Sequence, residues 1–177
     1  MGIVAEDVYW QRTPIGAGAY RAWLTDRGSL TARIASRYPR VRVEVLYQGL
    51  RRADRDERFV FAAGEARVLV REVFLLCGDT PVVFAHTVVD PRDLSGAWRG
   101  ILKLGNRPLG AALFADPQIE RHPLRQKKIG PHHELHVRVR SFLRDTPARL
   151  WARRSLFRLR DSPILVTEVF LPGILRL

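Results

Sequence analysis

Hydrophobic and polar positions along this chain fall into short strand-like runs separated by turn chemistry. Val41–Tyr47 alternates Val, Arg, Val, Glu, Val, a period of two that predicts a strand with one wet face. Ala66–Cys77 is a β-rich run, Gly78-Asp79-Thr80-Pro81 supplies a turn, and Val82–Val89 is a second run; together they predict an antiparallel hairpin. A similar pair closes the chain, with Trp151–Arg160 and Ile164–Leu171 joined by a turn at Asp161-Ser162-Pro163. Tyr20–Leu24 is a short apolar segment. Ser29 then has the chemistry of an N-cap, opening a helix through Leu30, Ile34 and Ala35 that Pro39 stops. Leu94–Leu104 and Pro108–Phe114 predict two short helices, the second with proline at its first position. Arg51–Glu57 reads as a charged loop. Pro117–Pro147 shows no clean period, and within it Leu135–Arg140 alternates like a strand while also fitting a helix. With no repeat, low-complexity tract or linker, strand pairs with helices grouped between them predict one antiparallel α+β domain over residues 1–177.

Composition agrees with a globular chain able to bury a core: 46% hydrophobic and 27% charged over 177 residues. The single cysteine, Cys77, excludes an intrachain disulfide and suits a reducing compartment. The start, with Glu6 and Asp7, lacks the basic and apolar regions of a signal peptide, and no apolar run is long enough for a membrane span. A cytoplasmic protein is expected. The formal net charge of +12, from 30 Lys+Arg against 18 Asp+Glu, would suit nucleic acid, an anionic surface or a small anionic substrate. The basic residues are scattered through strand-like segments instead of forming a tract, which favours no nucleic-acid partner.

Two residues stand out chemically. Glu168 lies in an almost wholly apolar strand and shares a face with Ile164, Val166 and Phe170. A carboxylate on an interior face needs a cationic partner or must take up a proton, and either state is typical of a functional acid. The plain alternative is an exposed face or a structural ion pair. Arg71 sits in a similar strand, where its planar fork suits bidentate binding of a substrate carboxylate; fold support through an ion pair is the alternative. The adjacent Arg153 and Arg154 must point to opposite faces of one strand; a solvated face is expected, with a ligand contact for one of them as the other option. Gly105–Gly110 is a turn feeding a helix. His132, His133 and His136 lack a metal-site pattern and are expected at the surface, so no metal is expected. Cys77 and the four tryptophans are expected to pack in the core.

An ordered set of motifs resembles the chorismate pyruvate-lyase family. It comprises Trp23-Leu24 with Ser29–Arg33, Arg71-Glu72-Val73 before Leu75–Gly78, and Pro81 with Ala85–Val89. Leu94-Ser95-Gly96, Leu104-Gly105, Pro108-Leu109-Gly110 and Leu113-Phe114 follow, then Trp151–Ser155 and Leu165–Pro172. The resemblance implies a six-stranded antiparallel sheet with helices packed around it, enclosing an aromatic-acid site. It implies elimination of pyruvate from chorismate to give 4-hydroxybenzoate for ubiquinone biosynthesis, by a cofactor-independent lyase expected to be a monomer. Arg71 would hold the ring carboxylate and Glu168 would face the ring hydroxyl, both as catalytic and substrate-binding residues, while Leu30 and Leu109 would line the pocket. Leu30 replaces the methionine of the family motif, a volume-conserving change, and Pro117–Pro147 matches none of it. Two other classes stay open. One is a non-catalytic aromatic-acid-binding domain of the same fold, as in ligand-sensing domains of bacterial regulators; the other is a basic nucleic-acid-binding protein, which gives no reason for a glutamate inside an apolar strand.

Overall fold

The computed structural model describes residues 10–61 and 67–177; the start of the chain and Ala66 lie outside the described residues. Among the described residues seven strands form one antiparallel sheet: β1 (Val41–Arg52), β2 (Arg67–Cys77), β3 (Thr80–Val89), β4 (Ile119–Arg121), β5 (Arg125–Ile129), β6 (Leu150–Leu159) and β7 (Ser162–Phe170). Their order is β1-β2-β3-β7-β6-β4, with β5 also pairing β6. β4 runs against residues 157–159 of β6 and β5 against residues 150–154. The sheet is thus six strands wide, with the last place divided between two short strands. Both fall in the stretch whose pattern was unreadable.

Turn chemistry sets the registers. Cys77 pairs with Thr80, so Gly78 and Asp79 form a two-residue turn, and Gly78 has φ +62° at the first central position, where a side chain is disfavoured. In the last hairpin Leu159 pairs with Ser162, which puts the turn at Arg160-Asp161 instead of Asp161–Pro163. Arg160 adopts φ 57° to make it. β1 continues to Arg52, through the start of the segment expected to be a loop.

Flanking the sheet are the α-helices α1 (Arg21–Thr25), α2 (Leu30–Ala35), α3 (Leu109–Ala115) and α4 (Glu134–Phe142). Ser29 caps α2 as expected, its Oγ accepting from the Ala32 amide at 3.3 Å. His133 caps α4 through Nδ1, which accepts from the Leu135 amide, so residues 135–140 are helical and bury Leu135, His136 and Val139. Residues 94–104 do not form one helix. They are two 3-10 turns, Pro91–Ser95 and Ile101–Lys103, separated by a stretch containing Gly96 and Gly100. Glycine disfavours a continuous helix there, and burying Trp98, whose Nε1 donates to the Ser162 carbonyl at 3.2 Å, takes its place.

Both sheet faces are covered, which is why β2 is buried from Val68 to Cys77 without alternation. On one face α2 packs Leu30 and Ile34 against Val43, Val73, Leu75 and Phe170. On the other, α4 packs Leu135 and Val139 against Phe74, Phe84, Ala152 and Val169. Among the described residues no helix is long and apolar enough to cross a membrane.

Candidate active site

A cavity of about 60 Å3 lies between the first face of the sheet and the starts of α2 and α3. Its floor carries Arg71, Ala85, Thr87, Glu168, Arg153 and Ser155; Leu30, Leu109 and Leu113 close it from above. The four expected site residues are therefore brought together. Leu30 and Leu109 are the first residues of their helices, and the two helix starts lie side by side. They are close enough that even a Cβ at Gly110 would touch Ser29 Oγ, at an ordinary contact distance of 3.4 Å.

Charge in the cavity is unevenly matched. Arg71 is 3% exposed and donates to Gln48 Oε1 at 3.2 Å and to the Gly105 carbonyl at 2.8 Å, but it pairs with no carboxylate among the described residues. Its contact with Gly105 fastens the loop leading into α3. Burial holds this guanidinium below its ordinary pKa, so an incoming anion would relieve it. Glu168 has its cation already: Arg153 Nε lies 2.6 Å from Oε2. Arg153 Nη1 also donates to the carbonyls of Trp23 and Asp26 at 2.8 and 2.7 Å, tying β6 to α1 and to the turn that leads into α2. Glu168 Oε1 has no hydrogen-bond partner among the described residues. Arg121, from β4, donates Nε to Ser155 Oγ at 3.0 Å and Nη1 to the Arg27 carbonyl.

The opposite face hides a second set of charges. His86 is fully buried, with Nδ1 3.1 Å from Glu72 Oε1 and Nε2 2.9 Å from Glu57 Oε1, the latter an ion-pair contact off the line of a hydrogen bond. Burial works against a charged ring, yet Glu57 and Glu72 outweigh it and push the His86 pKa up to about 9. Asp54, Glu57 and His86 bring potential metal-ligand atoms within 4.8 Å of one another. Their oxygens are already engaged, however. Arg138 grips both oxygens of Asp54 at 2.6 and 2.7 Å, and Glu57 Oε2 accepts from the Asp54 amide at 3.0 Å. Cations supplied by the chain fill the role a metal would take, and the cluster reads as a buried ion network.

The family model of chorismate lyase matches residues 4–176. The chain belongs to the chorismate lyase family. It is 52% identical to a protein of Nitrosomonas europaea named "Probable chorismate pyruvate-lyase", over 95% of this chain and 96% of that one. A Nitrosomonas eutropha protein of the same name is 49% identical over 93% and 94%. Among solved structures, a GntR-family transcriptional regulator from Bacillus cereus superposes with TM-score 0.52 at 13% identity, covering 75% of this chain and 92% of that one. The PhnF C-terminal domain gives 0.58 at 12%, covering 75% and 83%. At such identities the likeness is of the fold alone.

Within this chorismate lyase family member, two charged residues of the cavity lining, Arg153 and Arg121, stand outside the four expected ones. Arg153 is not on a solvated face: it is 1% exposed and Arg154 2%. The signal for Arg153 was its register. With the turn at Arg160-Asp161 it pairs directly with Glu168, whereas a turn at Asp161–Pro163 sets Glu168 opposite Leu156. Arg121 was hidden because no pattern marks β4. The expectation of surface histidines is also corrected, since His136 is 1% exposed and its Nε2 lies 2.8 Å from the Pro147 carbonyl. Arg71, Arg153 and Arg154 are buried, so the +12 charge is not all a surface field.

Proposed function

We propose that this chain is a chorismate pyruvate-lyase, a cytoplasmic monomer of one domain that supplies 4-hydroxybenzoate for ubiquinone biosynthesis. The observation that carries the reading is the cavity whose floor pairs a buried, anion-seeking Arg71 with an Arg153-held Glu168. Arg71 takes the ring carboxylate. Glu168, through its unpartnered oxygen, faces the ring hydroxyl and assists the proton's movement. Leu30 and Leu109 press the ring flat and exclude water.

The chemistry asks little more. A ring C–H proton is lost, the ring C–O bond to the enolpyruvyl group breaks, and its electrons leave with the departing enolpyruvate, which takes up a proton to become pyruvate. Aromatisation drives the step, so orientation and a dry site supply most of what the protein must add.

Purified, chelator-treated protein is mixed with chorismate, and 4-hydroxybenzoate and pyruvate are followed together by chromatography. Equal amounts of both are expected. Glu168→Ala should lower kcat by about 100-fold or more, as for a positioned acid–base group, with a smaller change in KM. Arg71→Ala should damage both. Intact chorismate beside folded wild-type protein would refute the lyase reading, and wild-type turnover by Glu168→Ala would refute its role.

A further inference from the structure

The cavity holds a cation that the roles above leave unused. Arg71, Thr87, Val166 and Ser155 are successive partners across β2, β3, β7 and β6. Arg121 joins the row from β4 by its bond to Ser155 Oγ. Four strand spacings of about 4.8 Å set the backbones of β2 and β4 roughly 19 Å apart, with both guanidiniums reaching inward over the same floor. Like Arg71, Arg121 pairs with no carboxylate among the described residues, and its Nη2 has no hydrogen-bond partner there. Its guanidinium carbon lies 5.1 Å from the Phe114 ring centre and 5.3 Å from that of Phe157, two apolar walls that shield part of it from water. Burial, then the neighbouring Arg153, depress its pKa. Arg121 also lines an open groove with Arg12, Arg27 and His122, so it stands where the cavity meets solvent.

A guanidinium withdrawn from water without an anion is costly, and a buried Arg71 and a half-buried Arg121 at opposite ends of one floor match a ligand with two anionic ends. We propose that Arg121 binds the carboxylate of the enolpyruvyl side chain, so that Arg71 and Arg121 grip the two carboxylates of chorismate from opposite ends of the row. The assignment rests on the lyase reading above. It makes Arg121 a residue for substrate and not for the aromatic product, because 4-hydroxybenzoate keeps only the ring carboxylate.

Initial rates with chorismate and the inhibition constant of 4-hydroxybenzoate are measured for wild type, Arg121→Gln and Arg121→Lys. Arg121→Gln should lower kcat/KM about 100-fold, mostly through KM, while the 4-hydroxybenzoate constant stays within about twofold. Arg121→Lys should recover roughly tenfold as a point charge without the fork. Unchanged 4-hydroxybenzoate affinity also certifies a folded pocket, which a merely structural role would not spare. The proposal is overturned if kcat/KM is unchanged, or if both constants deteriorate together in the lysine variant, which keeps the charge and is the better tolerated of the two. Absence of turnover in wild type overturns the lyase reading itself, an outcome visible before any variant is made.

Discussion

Arg153→Met removes the group that joins the cavity floor to the elements covering it. Methionine roughly conserves the apolar stem, so the change is chiefly the loss of three donated hydrogen bonds, to Glu168, Trp23 and Asp26. The two carbonyls lose a charged donor in a buried setting, at roughly 1–2 kcal/mol each. The Glu168 side chain is 19% exposed, so water partly replaces its cation and its loss is smaller, about 1 kcal/mol. Relief of the buried charge on Arg153 offsets a share of this. The net expectation is about 3 kcal/mol of lost stability, or roughly 6–12 °C in Tm for a chain of this size. Urea denaturation should show a lower midpoint at unchanged m-value. A Glu168→Leu partner change should make the double variant at least about 1 kcal/mol more stable than the sum of the singles, since an unpaired carboxylate is then no longer left behind. A loss below about 1 kcal/mol in Arg153→Met would refute the reasoning, because it would mean the bonds to Trp23 and Asp26 do not hold the cover to the sheet.

Two predictions concern stability away from the cavity. His86 titrates near pH 9 in the folded chain and near 6.5 when free, so its contribution is complete below about pH 6.5 and is lost as pH rises through 9. Urea midpoints should fall across that window by roughly 3 kcal/mol equivalent and flatten in His86→Gln; a flat wild-type profile would show that the ring is not held as a cation. Gly173→Ala should cost about 1–3 kcal/mol, because a Cβ there meets Thr80 Cγ2 at 2.9 Å and the Pro81 carbonyl at 3.0 Å. Calorimetry checks it, and an unchanged Tm would mean that the chain after β7 can shift away from β3.

Local pattern carried the strands and the caps whose chemistry is complete within a few residues. Alternation marked β1, and β-rich runs bounded by turn residues marked β2–β3 and β6–β7. Ser29 announced α2 because its Oγ reaches an amide only three residues on. Pattern was weakest where strands were too short to show any alternation, as in β4 and β5. Arg71 and Glu168 were legible as candidates because a charge inside an apolar run is anomalous wherever the strand lies.

What the charges do was decided by tertiary structure. The place of one turn determines whether Glu168 faces Arg153 or an apolar neighbour three residues on, since register fixes every cross-strand partner at once. Arg121 reaches the same floor from a strand remote in sequence, and Asp54, Glu57, Glu72, His86 and Arg138 meet only because α4 and the chain after β1 close over one face. The sequence by itself determined which side chains are too polar for an apolar setting. Only the fold determined their partners, because an ion pair between residues distant in the chain depends on where strands and helices dock, and no periodicity along the chain records that.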